Sequence, residues 1–528
     1  MFVYGFLWLW SVITREVSSN VLLVFVSVLM IVRILQILSE EKKLPPGPWG
    51  LPIIGSMPFL KGDLHLYYRD LAHKYGTLFS MRIGSQLMVV LSDYKMIRDT
   101  FRKEEFTGRP VTEFTKILGG YGVINTEGKL WKDQRRFLHD RLRNLGMTYI
   151  GSKKAQMESR ITREVEELII VMRAQNGAST DINSFFAISI SNVICDILMS
   201  VRFSHNDTRF QRYMELIDEG FKLFGSMSPA LFIPVLKYLP GLRKTRQKIE
   251  GNRKEMATFL QMTIDEHRRT FDPSHLRDVV DTYLLEIQKA NEEGVGHQLF
   301  EGRDHDRQMQ QIMGDLFSAG METIKSSLQW GVLFMLHHPE KMRAVQEELD
   351  QIVGRKRLPN LEDLPYLPVT ESTILEVLRI SSIVPMGTTH APTKDLNLNG
   401  YHLPQTAQVV PLLHAVHMDP KLWDEPEKFD PSRFIDAEGK VHKPEFFLPF
   451  GVGRRICLGE VLARMEIFLF FSSLLHSFDL TVPEGQTLPN LKGNAGVTIN
   501  PNPFNTSLKP RPFDSDPITT TIRTAGSH

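Results

Sequence analysis

Cysteine is nearly missing from this chain, with two in 528 residues, Cys195 and Cys457, far apart in sequence. That scarcity excludes a disulfide framework and indicates that the bulk of the chain faces a reducing compartment. Zinc and iron–sulfur sites built mainly from cysteine need more ligands than two. An excess of charge of one sign is missing as well. With 62 Lys+Arg against 61 Asp+Glu the net charge is +1, and nothing electrostatic points to nucleic acid as a partner. No glycine fingerprint opens a βαβ unit, so a bound dinucleotide is not expected. There is no internal repeat, and no linker comes after the amino end. A length that suggests about three domains at roughly 150 residues each therefore reads as one large body. The 42% apolar and 23% charged content is ordinary for a globular protein.

What the chain does have is one cysteine in an unusual setting. Residues Phe450 to Gly459 read FGVGRRICLG and run into an apolar helical stretch. Positive charge and unpaired N–H groups at a helix N-terminus both favour a thiolate at Cys457. Gly451, Gly453 and Gly459 free the backbone to turn tightly or to approach something flat and bulky. A thiolate held up to a large planar group is what an iron porphyrin needs on one side. The plainer alternative, a buried structural cysteine, describes Cys195 better, in the apolar run ISNVICDILMS. No C-x-x-C-H run is present, so covalent attachment of a haem is not expected.

At the amino end, residues 21–38 read VLLVFVSVLMIVRILQIL. A helix of that length spans about 27 Å, close to the bilayer core of roughly 30 Å. Arg33, near its end, can reach the interface. The charged and proline-rich EEKKLPPGPWG comes next, with Pro45, Pro46 and Pro48 enforcing an extended, stiff connector. Lys42 and Lys43 place the body of the chain in the cytosol by the positive-inside rule. The expected organisation is a membrane anchor over 1–40, a hinge over 41–50, a catalytic body over 51–510 and a disordered tail over 511–528.

The body is expected to be mainly α with a small β region. Amphipathic helices are expected over 153–173, 243–270, 308–337, 339–353 and 369–380, and strands cluster over 78–92 and 395–413. Asn399-Gly400 marks a hairpin turn. Residues 231–241, LFIPVLKYLPG, combine apolar bulk with two prolines that exclude a regular helix interior. They read either as a buried loop or as a lip that dips into a membrane.

The pattern Phe450, Gly453, Arg455, Cys457 and Gly459 resembles the haem-binding loop of the cytochrome P450 superfamily. LPPGPWGLPIIG resembles the hinge of its microsomal members. The resemblance covers Leu44 to about Pro510 and implies the mostly helical P450 fold behind an N-terminal transmembrane helix, in the endoplasmic reticulum membrane. It implies haem b with Cys457 as axial ligand, dioxygen as co-substrate, and electrons from NADPH through a reductase, with cytochrome b5 as a further partner. Ala319, Gly320, Glu322 and Thr323 match the family's oxygen-activating pattern, in which Gly320 lets the helix loosen beside the haem, Thr323 donates a hydrogen bond and Glu322 relays protons. The plainer alternative for that small pair is a helix–helix crossing.

By the same resemblance Trp131, Arg135, His390 and Arg455 reach a haem propionate. Glu376 and Arg379 form a structural network with Arg433, although Ser432 stands where the family usually has Glu, and Glu340/Arg343 offers a decoy for the same spacing. Ile117, Val123, Phe221, Phe224, Phe317, Val384, Met386 and Val497 line the substrate pocket, with Thr388 and Thr389 for its polar work. The basic helix with Lys129, Lys132, Arg136 and Arg143 is a candidate docking face for the reductase, or simply a solvated surface. The runs EEFTGRP, KLWKDQRRFLHD, DLFSAGMETIK and TESTILEVLR resemble the insect ecdysteroid hydroxylases. Oxidation of the terminal side-chain carbon is favoured, with 25-hydroxylation as the runner-up. A haem-thiolate isomerase, a broad xenobiotic hydroxylase and a lipophile carrier are the rivals.

Overall fold

A computed structural model describes residues 42–514, apart from 52, 53, 205 and 206, together with positions 21, 24, 25, 27, 28 and 32. Apart from those six positions, the expected anchor over 1–40 lies outside the described residues, as does the chain from 515 onward. One described helix, Ile182–Met199, is long and apolar enough to cross a membrane, but two thirds of it is buried inside the body. It carries Cys195 at zero exposure and is a core helix.

The body is helical around one long central helix, His305–His337, capped at its start by Asp304, which accepts from the Arg307 N–H at 2.7 Å. Helices Ile182–Met199, Glu460–Ser477, Pro240–Thr270 and Pro368–Ser381 pack against it. The five expected helices are present with shifted ends: Ser152–Arg173, Pro240–Thr270, His305–His337, Pro339–Ile352 and Pro368–Ser381. Three of them begin on a proline, whose fixed φ and missing N–H suit the first helical position. That preference moves Pro240 out of the expected lip and into a helix.

The strands form small separate sheets. Leu78–Ile83 pairs antiparallel with Gln86–Leu91 (Ser80 opposite Val89), and Gln86–Leu91 pairs in parallel with Gln408–Pro411 (Val89 opposite Val409). Leu396–Leu398 and Tyr401–Leu403 form the expected hairpin. Its turn residues Asn399 and Gly400 both have positive φ, 50° and 88°, which is the Asn-Gly type I′ preference. Two further small sheets were not expected: Thr506–Pro510 between Ser179–Thr180 and Phe478–Thr481, and the hairpin Gly493–Ala495 with Ile499–Pro501.

The proline-rich hinge is extended but pinned: Ser80 donates to the Pro45 carbonyl at 2.6 Å and through its backbone to Pro46 at 2.9 Å. Residues Arg511 and Phe513, expected in a disordered tail, pack on the body: Arg511 pairs with Asp350 at 2.5 Å and Phe513 lies against the guanidinium groups of Arg173 and Arg355.

Candidate functional site

The Cys457 loop is closed by its backbone. Gly453 sits at φ 84°, and a Cβ there would lie 2.2 Å from the Phe101 carbonyl oxygen, so only glycine lets the loop close against the helix Tyr94–Phe101. The Cys457 N–H donates to the Phe450 carbonyl at 3.0 Å. Gly459 then caps the helix Glu460–Ser477, which is buried throughout from Met465. The Cys457 side chain is accessible over its own surface yet enclosed by protein at longer range, so it faces an internal cavity. This enclosure pushes the thiol pKa up, and the Gly459 N–H and Arg135 work against it. Positive charge alone therefore does not ionise Cys457, as the sequence suggested. Coordination to a metal does, since a ligating thiol is deprotonated outright.

Beside the loop three guanidinium groups converge. Arg455 lies 4.0 Å above the Trp131 ring and donates to the carbonyls of Thr107 (2.6 Å), Thr126 (2.5 Å) and Ile124 (3.3 Å). Arg135 donates to the Ile456 carbonyl at 2.5 Å. Arg109, which sequence reasoning missed, donates to Ile124 and Thr389 carbonyls at 2.9 and 2.7 Å and to the Thr388 hydroxyl at 3.2 Å. Burial, then mutual repulsion, lowers Arg455 to about 8 and Arg109 to about 10. The nearby carboxylate of Glu127 binds the Arg109 backbone N–H at 2.9 Å. The buried Trp131 indole N–H has no hydrogen-bond partner. His390 donates through Nδ1 to the Phe106 carbonyl at 2.7 Å, and burial lowers it to about 3, so it is neutral. Cations whose donors meet only carbonyls and a hydroxyl, an orphan indole N–H and an accessible enclosed thiol fit a planar iron-bearing group with carboxylate arms.

The central helix packs against the helix Glu460–Ser477 that follows the loop. Ala319 is exposed in the middle of the central helix, between the partly buried Ser318 and Gly320, and Thr323 lies one turn further along the same face. The helix stays regular here: the Thr323 hydroxyl donates to the Ala319 carbonyl at 2.7 Å, one turn back. The expected loosening is therefore not observed. A Cβ on Gly320 would lie 2.7 Å from Ile194 Cδ1, so this glycine serves the crossing with helix Ile182–Met199. Glu322 is buried and points elsewhere, accepting from Asn500 Nδ2 at 2.6 Å and Thr498 Oγ1 at 3.3 Å and pairing with Lys325 at 2.7 Å.

Of the expected pocket residues, Ile117, Phe221, Phe224, Val384 and Met386 are partly buried and Val497 is exposed, while Val123 is buried. Phe317 is a correction. It is 1% exposed and packs edge-on against Phe210 and Tyr213, because two residues from Ala319 is about 200° around a helix. Asp315, also missed, fixes the loop beside the pocket by accepting from Val123 and Ile124 N–H groups at 2.8 and 3.0 Å. The basic helix Gly128–Asn144 is largely compensated on its surface. Lys129 and Arg136 both pair with Asp133, and Lys132 pairs with Glu104.

Behind the loop, Glu376 takes Arg379 Nε at 2.7 Å and Nη2 at 2.8 Å, Arg433 Nε at 3.1 Å and the Asp430 N–H at 2.9 Å. Ser432, at the departure from the family pattern, donates to Asp430 instead and leaves Arg433 free to reach in. The decoy Arg343 lies outside and donates to the Pro339 carbonyl. His417 joins this network to the cysteine loop. Arg379 donates to its carbonyl at 2.7 Å, and its Nε2 accepts the Leu448 N–H at 3.0 Å.

Comparison with known proteins agrees with this geometry. The family model Cytochrome P450 matches residues 45–508. The chain is 56% identical over 500 residues to Cytochrome P450 18a1 of Drosophila melanogaster, covering 94% of this chain and 93% of that protein. It is 34% identical over 496 residues to Cytochrome P450 2U1 of Rattus norvegicus, covering 89% and 91%. Against Cytochrome P450 2D6 of Homo sapiens it is 35% identical over 478 residues, covering 88% and 93%. The chain belongs to the cytochrome P450 family, and is accordingly a haem-thiolate monooxygenase that uses dioxygen and NADPH-derived electrons delivered by a reductase.

Proposed function

We propose that this monooxygenase hydroxylates the terminal side-chain carbon of ecdysteroids. The observation that carries the reading is Cys457, accessible over its own surface yet enclosed by protein at longer range, with the Arg135, Arg455 and Trp131 cluster beside its loop. In this reading Cys457 is the iron ligand. Arg455, Arg135 and Trp131, together with Arg109, hold the carboxylate arms of the haem; His390, neutral with its Nδ1–H given to Phe106, has no second proton to donate and borders them instead. Phe450, Gly453 and Gly459 shape its cradle. The bound haem supplies activation of dioxygen with two electrons from NADPH: one oxygen atom enters a substrate C–H bond, and the other leaves as water with two protons. Thr323 and Glu322 handle those protons, the Thr323 hydroxyl orienting them beside Ala319.

Ile117, Phe221, Phe224, Val384, Met386 and Val497 give the steroid rings an apolar wall, and a few placed hydrogen bonds set its orientation. Thr388 and Thr389 are less free for that work than the sequence suggested, because Arg109 occupies the Thr388 hydroxyl and the Thr389 carbonyl. The apolar run over 21–38 supports anchoring in the endoplasmic reticulum membrane with the body in the cytosol. The exposed Val235, Tyr238 and Leu239 support a lip that rests on the bilayer. Cytochrome b5 is the proposed auxiliary donor.

Full-length protein with reductase, NADPH, isotopically labelled dioxygen and a panel of ecdysteroids tests the reading. One labelled oxygen at the terminal side-chain carbon supports it. Label at the 25-position selects the biosynthetic alternative. Turnover without NADPH indicates an isomerase, and product from small xenobiotics with none from ecdysteroids overturns the substrate.

A further inference from the structure

Lysine is an unusual residue for the buried middle of a core helix, yet Lys325 lies there with its side chain 9% exposed, between Ile324 and Ser326, both buried. Its Nζ is 2.7 Å from Glu322, one turn back, whose side chain is 7% exposed. The same carboxylate accepts from Asn500 and Thr498 of the strand Ile499–Pro501 and the residue before it. Ser326 holds that asparagine from the other side, its hydroxyl bonded both to Asn500 Oδ1 and to the Glu322 carbonyl. Glu322 therefore does not hang free beside Thr323. It is held on one oxygen by Asn500 and Thr498, while its other oxygen faces the Lys325 ammonium at 2.7 Å. A third charge continues the row. Asp218, on the helix Thr208–Ser226, is accessible over its own surface yet enclosed by protein at longer range, which raises its pKa, and it lies within electrostatic reach of Lys325 and Glu322.

We propose that Lys325 is a positioning residue for proton delivery. It fixes the place of Glu322, and the alternating row Asp218, Lys325, Glu322 leads from an accessible carboxylate to the residue next to Thr323. The proposal rests on the reading of Glu322 and Thr323 as the proton-handling pair. A buried carboxylate needs a paired charge to stay ionised in the interior, and Lys325 is the group within reach. Because an ammonium is a compact point charge on a flexible stem, it tolerates small shifts of Glu322 without releasing it.

The test is a double-mutant cycle in the full-length, haem-loaded enzyme. Product formed per NADPH consumed and hydrogen peroxide released are measured for the parent, Glu322→Gln, Lys325→Met, the double variant and Lys325→Arg. The substrate-induced spectral shift and thermal unfolding are recorded alongside. Lys325→Met is expected to lower coupling about tenfold, a part of the roughly hundredfold or more that a positioned proton-transfer group contributes, with substrate affinity unchanged within about twofold. Lys325→Arg should restore coupling. In the Glu322→Gln background, Lys325→Met should cost no further coupling, since it acts through the group already removed. Because Lys325→Met leaves a buried carboxylate unpaired and can fail to fold, the double variant, which carries no buried charge, and Asp218→Asn, at an exposed position, keep the test open. Asp218→Asn should also lower coupling, without change in the unfolding midpoint. If Glu322→Gln alone leaves coupling intact, the proton-handling reading itself fails. If Glu322→Gln uncouples while Lys325→Met does not, or the two losses simply multiply, Lys325 has only a structural role and the proposal is wrong. Full coupling in Asp218→Asn removes the outer end of the row.

Discussion

Glu376→Gln removes one charge from a carboxylate that receives four donors, two from Arg379, one from Arg433 and the Asp430 N–H. Glu376 and Arg379 have zero exposure and Arg433 only 10%, so water cannot replace what is lost. The amide keeps one acceptor oxygen and turns its NH2 toward a guanidinium. Breaking a buried pair in this way costs about 3–5 kcal/mol, mostly the penalty of the uncompensated charge left behind. Unfolding entropy of about 2 cal/mol/K per residue gives about 1 kcal/mol/K over roughly 470 residues, so the thermal midpoint should fall about 3–5 °C. The damage should also reach the cofactor. Arg379 holds the His417 carbonyl and His417 holds the Leu448 N–H, two residues before Phe450. The assay is differential scanning of the holoprotein with haem release to apomyoglobin in parallel. Glu340→Gln at the surface decoy is the control, expected within about 0.5 kcal/mol of the parent. A Glu376 variant that melts and retains haem like this control would refute the reasoning.

Gly453→Ala should lose haem occupancy, because φ 84° and a Cβ 2.2 Å from the Phe101 carbonyl force the loop to move; an unchanged haem-to-protein ratio would contradict it. Burial, then Arg379, lowers His417 to about 3, below its value of about 6.5 when unfolded. Its contribution is thus complete above pH 6.5 and is lost at about 1.4 kcal/mol per pH unit as pH falls from there toward 3. Denaturant midpoints across pH 7 to 5 should therefore fall less steeply for His417→Gln than for the parent. Asp315→Ala removes the acceptor for two loop N–H groups, at about 1–3 kcal/mol for each group left unpaired in the interior. Weaker ecdysteroid binding and faster hydrogen exchange at Val123 and Ile124 should result, and unaltered exchange would assign the loop's order to other contacts.

The cysteine loop was legible because its chemistry is local: five residues at fixed offsets carry both the ligand and the turn that presents it. The Glu376–Arg379 pair was legible for the same reason, and its decoy could be set aside only with the position of Arg433. Long-range partners were not legible. Arg109, Asp315 and His417 take their meaning from carbonyls and N–H groups tens to hundreds of residues away, and periodicity within their own segments does not mark them. Phe317 was misplaced because it is near Ala319 in sequence but on the opposite side of the helix. Gly320 was assigned to the cavity when it is needed by Ile194. The short strands 478–481 and 506–510 are too brief for alternation to mark them and were identified only by their pairing.

Cys457 as the iron ligand is the central assignment, and the ferrous carbon monoxide difference spectrum addresses it directly. The parent should show the red-shifted band of a thiolate-ligated haem. Cys457→His, if it retains haem, should show the shorter-wavelength band of imidazole ligation and no NADPH-dependent hydroxylation. A thiolate band that persists in Cys457→His, or that the haem-loaded parent never shows, would contradict the assignment.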